Sequence, residues 1–226
     1  MTDWTGVGIS LLKAFLAFFA VMNTVPVLVW AERRGSAFIQ HRLGPNRVNI
    51  GGITLFGLVQ PLADVVKFVW KEDYVPSHAN RAFYVLAPVL LLIPAAMTFA
   101  VIPFADDLLV AGRRITMQVA NLNIGILYIF ALTSLSVYGV VLAGWSSNNK
   151  YSLLGGIRSS AQMISYELAL GLSVIGILMI YGSVQLDEIV RGQGNLLFGL
   201  LPKWGIVTQP VAFVLFLAAV FAESNR

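Results

Sequence analysis

Glu167 stands alone in an apolar run. The stretch RSSAQMISYELALGLSVIGILMIY (158–181) opens on polar and basic residues and then turns apolar enough to cross a bilayer. No basic residue follows the glutamate for two helical turns. A glutamate is too short to reach back to the interface as lysine does, and acids inside membranes usually face a partner or a water-filled cavity. Withdrawing a carboxylate from water strengthens its hold on a proton, as a group that exchanges protons near neutral pH requires. Tyr166 and Gln162, at i−1 and i−5, bring a hydroxyl and an amide nearby. The three together suit part of a proton path. The plainer reading is a structural carboxylate hydrogen-bonded to a neighbouring helix.

Three further acids keep unusual company. Glu32 follows the first apolar run in VLVWAERRGSAFIQHRLGPN, Glu223 ends the last one in FLAAVFAESNR, and Asp64 has Lys67 three residues on. Taken singly, each suits an interfacial anchor; four carboxylates expected at one membrane face suit a relay. The stretch 32–47 joins Glu32 to four arginines, His41 and a Gly-Pro-Asn sequence at 44–46. Juxtamembrane arginines bind lipid phosphates, whereas the defined turn that Gly-Pro-Asn imposes points to docking against another protein. There is no Walker loop, no dinucleotide-binding glycine motif after a strand, no HExxH and no GxSxG. Any redox cofactor is therefore expected on a partner.

The elements that position these residues follow from composition. The chain is 58% hydrophobic and 12% charged, with a mean hydropathy of +0.79, where soluble domains carry roughly 25% charged residues. Lipid is the expected solvent. With no cysteine and only His41 and His78, the chain offers neither thiolates for an iron–sulfur cluster nor disulfides, and no metal site is expected. Nucleic acid is not an expected partner, because the net charge of +4 is spread over loops flanking the apolar runs.

Five runs approach the roughly 20 apolar residues of a span: 9–30, 83–104, 119–143, 161–181 and 209–222. A sixth, 53–70, places Gln60, Asp64, Lys67 and Lys71 on one narrow stripe of a helix. Spanning would sink Asp64 and Lys67 at about 2.5–3.5 kcal/mol each, so an interfacial amphipathic helix is expected. The fold class is thus an all-α polytopic membrane protein, a single membrane domain over 1–226 of about five transmembrane helices plus one amphipathic helix. With 53–70 non-spanning, Arg33, Arg34, Arg42, Arg47, Lys67, Lys71, Arg81, Lys150, Arg158 and Arg226 flank one side. Arg113, Arg114, Arg191 and Lys203 flank the other. The positive-inside bias places 31–82 in the cytoplasm and the N-terminus outside.

The segments AERRGSAFIQHRLGPN, QPLADVVK, AGWSSNNKYSLLGGIRSSAQMISYE and AESNR, in this order, closely resemble a membrane-subunit family of bacterial respiratory complex I, the proton-pumping NADH:quinone oxidoreductase. Its mitochondrial counterpart is the first membrane subunit of that complex. The similarity runs along essentially the whole chain. The resemblance implies a component of the bacterial inner membrane that anchors the hydrophilic arm, forms much of the quinone chamber and relays protonation changes to antiporter-like subunits. It places FMN and iron–sulfur clusters on partner subunits only. Residue by residue, it implies that Glu32, Arg33 and Arg34 stand by the quinone entrance, and that Asp64 and Lys67 form the amphipathic-helix pair. Glu167, and Glu223 with Arg226, match its other acidic motifs, so that Glu167, Glu223, Asp64 and Glu32 are the expected relay. Ser224 stands where the family has threonine. The family continues past this motif into an acidic loop and about three more helices, which makes 226 residues about two-thirds of a member.

A quinone headgroup carries two carbonyl acceptors and an apolar tail, so its entrance should pass from greasy walls to cationic groups. Val27 to Trp30 followed by Arg33 and Arg34 supply that sequence of surfaces, with Phe56, Phe68, Trp70 and Lys67 available on a facing wall. Two other functions stay open at this point: the homologous coupling component of a membrane-bound hydrogenase, and a proton-coupled secondary transporter.

Overall fold

A computed structural model describes residues 4–110, 113–197, 199 and 201–223. The chain divides into two compact units, Ala14–Tyr74 and Met1–Lys13 with Val75–Arg226. Among the described residues four helices are long and apolar enough to cross a membrane, with a shorter apolar one besides. The protein is a mainly helical, multi-pass membrane protein.

Helix α1, Trp4–Ile39, contains the first apolar run and continues through Glu32, Arg33 and Arg34. Its 36 residues make about 54 Å of helix, well beyond a hydrocarbon core of about 30 Å. The Ala14–Tyr74 unit holds most of it. Beyond α1, His41 takes φ +50°, and the Arg42 N–H bonds back to the Ala37 carbonyl at 2.9 Å, reversing the chain. Gly51 and Gly52, both at positive φ, make a two-residue turn closed by the Ile50–Ile53 bridge. Helix α2 is Gln60–Trp70. At 11 residues it is about 16 Å long, half of what a span requires. The first third of the expected 53–70 helix is instead a tight 3-10 turn, Leu55–Gly57. Proline at the start of α2 lacks the N–H that an earlier turn would need.

In the larger unit, α3 (Arg81–Thr98), α4 (Gly125–Ser146), α5 (Lys150–Tyr181) and α8 (Pro210–Glu223) carry the apolar runs. A small antiparallel hairpin, β1 (Leu108–Val110) with β2 (Arg113–Ile115), follows α3. Between α5 and α8 come α6 (Leu186–Gln193), the two-residue strands β3 (Leu196–Leu197) and β4 (Leu201–Pro202), and the single turn α7 (Gly205–Thr208). Helices α3 and α4 lie together, α4 and α5 form a hairpin, and α8 packs on α5. The hairpin turns in three residues: Asn148 takes φ +51° and the Asn149 side chain caps α5 by accepting from the Tyr151 N–H at 2.9 Å. At the crossing, Gly144 and Gly156 approach so closely that a Cβ on either would lie 3.3 Å from the other's Cα. This backbone contact holds the membrane hairpin together without apolar-versus-water driving force. Phe83 meets Trp145 edge-to-face at 5.3 Å, fixing α3 on the same hairpin.

Helix α5 begins at Lys150, well before the apolar run that starts at 161. Glu167 thus lies in the middle of a long helix, about 14 Å along its axis from Arg158.

Candidate functional site

The carboxylate of Glu167 is received by the helix opposite. Thr133 Oγ1 donates to Glu167 Oε1 at 2.7 Å, and Ser134 Oγ donates to the same oxygen at 2.8 Å. Both hydroxyls also lie within reach of the Phe130 carbonyl, at 3.0 and 2.9 Å. A hydroxyl has one proton and two lone pairs, so each can donate either to the glutamate or to its own helix. When the carboxylate is ionised, the hydroxyls donate to it. When it is protonated, its O–H donates to a hydroxyl, which turns to Phe130. The pair accommodates both protonation states by rotating hydroxyl protons, with no helix displaced. Glu167 is half-buried, and among the described residues it has no ion-pair partner. It lines a cavity of about 690 Å³ between α4 and α5 that also holds Ser134, Tyr138 and Ser160 among apolar side chains.

Glu223 ends α8, half-buried, on the helix that packs against α5. Gln162 does not turn to Glu167. Its amide donates to the Ala222 carbonyl at 2.9 Å and so ties α5 to the last turn of α8. Tyr166 lines a separate groove against α8. The local neighbours expected from sequence thus serve the α5–α8 contact, and the partners of Glu167 come from the TSLS cluster at 133–136. Hydroxyl residues gathered within one turn of an otherwise apolar span were the signal available for finding them.

The Ala14–Tyr74 unit builds a second constellation. Arg33 forms an ion pair with Asp64, joining α1 to α2, and the Gln60 amide bonds the other carboxylate oxygen at 3.4 Å. The Arg33 guanidinium holds the Asp64 carboxyl below its ordinary range; burial opposes this, and Gln60 and the charge of Lys67 assist. Asp64 is therefore anionic at neutral pH. Lys67, expected as its partner, is exposed and acts only as a nearby charge. With side chains 46% and 26% exposed, this ion pair adds little stability; its use is to set direction. One residue further, Arg34 donates to the Phe56 carbonyl at 3.2 Å, and Trp30 Nε1 donates to the same oxygen at 3.0 Å. Leu55 and Phe56 take φ +44° and +55°, values costly for side-chain-bearing residues. The following Gly57, at φ +86°, has no room for a Cβ, which would overlap the Pro45 carbonyl. The clasp on the Phe56 carbonyl holds this strained turn and leaves the Phe56 side chain on the surface, with 74% of the residue exposed. Trp30, Arg34 and Phe56, separate candidates in the sequence, are thus one unit.

Glu32 is exposed on α1. Arg226, together with Ser224 and Asn225, lies outside the described residues. The structure gathers Glu167 with Glu223 in one unit and Arg33 with Asp64 in the other.

Residues 12–226 match a family model described as NADH dehydrogenase. The chain is 49% identical over 220 residues to an NADH-quinone oxidoreductase H subunit (number 1) of Geobacter metallireducens, covering 97% of this chain and 63% of that protein. It is 49% identical over 214 residues to the corresponding H subunit (number 2) of Geobacter sulfurreducens, covering 95% and 61%. With the H subunit of Thermomicrobium roseum it shares 45% identity over 227 residues, covering 99% and 65%. The chain spans less than two-thirds of the length of each of these curated relatives.

Proposed function

This chain belongs to the NADH dehydrogenase family, and from that premise we propose that, in the full-length protein, it serves as a membrane subunit of a proton-translocating NADH:quinone oxidoreductase. The observation that carries the reading is Glu167: a carboxylate within a membrane helix, held by two hydroxyls that serve either protonation state. Glu167 and Glu223 relay protons between helices, with Asp64 and Glu32 continuing the path on the cytoplasmic side. Trp30, Arg33, Arg34, Phe56, Lys67 and Arg226 shape the entrance and chamber of a quinone, whose carbonyls need cationic or N–H donors. The FMN and iron–sulfur clusters that deliver electrons sit on partner subunits of a hydrophilic arm anchored here; the chain has no cysteine with which to bind a cluster. The protein lies in a bacterial inner membrane with its N-terminus outside, as the distribution of basic residues favours.

A photoreactive quinone analogue tests the site. In the intact complex it should crosslink within 27–70, and natural quinone in excess should abolish the label. Crosslinks confined to other subunits would leave this region an arm-docking element. Orientation is checked by accessibility, for which the cysteine-free sequence is convenient. Single cysteines at Ser36, Ser77 and Ser147 should label from the cytoplasm, and one at Asp107 from outside. Labelling of Ser36 and Ser77 from opposite sides would overturn the topology.

A further inference from the structure

We propose that the groove between α5, the α7 turn and α8 holds one acyl chain of a membrane phospholipid, whose headgroup rests at Lys203 and Trp204. The groove, about 400 Å³, is walled by Val174 and Ile177 of α5, by Phe213 and Phe216 of α8, and by Trp204 and Ile206. It exists because the chain folds back after α5 ends at Tyr181. The Tyr181 hydroxyl donates to the Lys203 carbonyl, and a Cβ on Gly192 would stand 2.7 Å from Cδ1 of the Tyr181 ring. A Cβ on Gly205 would stand 2.8 Å from Ile177 Cδ1. Residues 203–205 therefore lie beside the last turn of α5 rather than beyond it, which brings Trp204 to the rim of the groove.

Depth points to a lipid tail. Ser173, which also lines the groove, lies about 12 Å along α5 from Tyr181, and Phe216 lies about 9 Å along α8 from Pro210. Half of a hydrocarbon core is about 15 Å thick, so the groove follows most of one leaflet. Its polar groups are graded in the same direction. At the deep end, Ser173 Oγ is spent on the Leu170 carbonyl of its own helix, at 2.6 Å. At the rim, the Trp204 indole N–H and the Gln193 side-chain amide have no partner among the described residues, and Lys203 has no acidic one. An ammonium and an N–H above an apolar slot suit the phosphate and ester carbonyls of a lipid.

Bulk separates a tail from a helix. Membrane helices meet closely through small side chains, as the neighbouring α5–α8 groove would allow at Ala169, Ala218 and Ala222. Here Ile177, Phe213, Phe216 and Trp204 hold another backbone off and leave a slot for a flexible chain. Lys203 favours a phosphate over the neutral head of a quinone.

The test uses the intact complex in nanodiscs of phosphatidylcholine doped with a phosphatidylethanolamine that carries a diazirine midway along one acyl chain. Labelled peptides should include 173–177 or 212–216, and their labelling should saturate as the probe fraction rises. One basic residue at a lipid surface changes occupancy about fivefold, so Lys203→Gln with Trp204→Phe should cut labelling about tenfold or more. Lys203→Arg, which keeps the charge, should retain most of it, and excess natural quinone should not displace it. Undiminished labelling in the double variant overturns the proposal. So does wild-type labelling that rises in simple proportion to the probe, as passing lipid contact would give; this reading needs no variant to fold. Displacement by quinone overturns the phospholipid in favour of a quinone tail. Absence of label, with crosslinks from 204–213 to another membrane helix, overturns it in favour of helix packing. Labelling requires no quinone turnover, so each result stands apart from the reading under Proposed function.

Discussion

Replacing Glu167 by glutamine is expected to leave the complex assembled and to slow proton-coupled quinone reduction about a hundredfold, the lower range of what a placed acid–base group contributes. Glutamine has the size of glutamate and can still accept from the Thr133 and Ser134 hydroxyls that contact Oε1, so packing between α4 and α5 should survive. What disappears is the exchangeable proton. The proton-to-electron ratio should fall, and the carboxylic-acid band assigned to this residue should vanish from infrared difference spectra. Ser134→Ala, which keeps the carboxylate but removes one donor, should slow turnover by about tenfold, in line with a hydrogen bond to a charged group. A Glu167→Gln enzyme that pumps at the wild-type ratio and rate would reduce this residue to a structural carboxylate between two helices.

Hydropathy makes the membrane helices legible, because lipid selects apolar side chains wherever it touches the chain. It does not reveal where helices end. Helix α1 runs nine residues past the apolar stretch, to Ile39, and α5 begins before its own, at Lys150. A helix's backbone bonds close within the helix whatever the solvent, so it stops where a cap or turn stops it: at Asn149, with its side-chain cap, and before His41, with its left-handed backbone. The expected start of the last helix at Pro210 coincides with the observed one, since proline marks that position by its own geometry. The same contrast holds at the site. Glu167 is conspicuous because a charge in an apolar run is conspicuous anywhere. Its true partners lie more than thirty residues away, on the facing helix, and no local spacing points to them. Proximity in sequence sets Tyr166 and Gln162 beside Glu167, whereas their side chains face α8. Local spacing likewise pairs Asp64 with Lys67, and in the folded chain Asp64 finds Arg33 across 31 positions of sequence.

The clasp on Phe56 gives the other large effect. Leu55 and Phe56 hold left-handed backbone at roughly 1–3 kcal/mol each. Beside the turn's own backbone bonds, Gly57 N–H to the Thr54 carbonyl at 2.8 Å and Leu58 N–H to the Leu55 carbonyl at 3.1 Å, the side-chain interactions opposing this cost are two hydrogen bonds to one carbonyl, from Trp30 and Arg34. A neutral donor contributes about 1 kcal/mol and a charged one about 1.5–3 kcal/mol. The two sides are of similar size, so losing one donor should loosen the turn and losing both should release it. In the double variant Trp30→Phe, Arg34→Gln the Phe56 ring loses its fixed place, and the apparent quinone KM should rise about tenfold or more, the equivalent of losing the charged bond alone. Electron transfer from NADH to an artificial acceptor upstream of the membrane should stay unchanged. Because both donors serve one oxygen, each single variant should show a smaller effect, and the two should not add. Gly57→Ala reaches the same turn from its other end, where the added Cβ meets the Pro45 carbonyl, and should raise KM without touching either donor. Phe56→Ala separates ring from turn: a rise matching the double variant assigns the quinone contact to the ring itself. An unchanged KM in all of these variants would mean that the strained turn serves the fold of the Ala14–Tyr74 unit and that the quinone passes elsewhere.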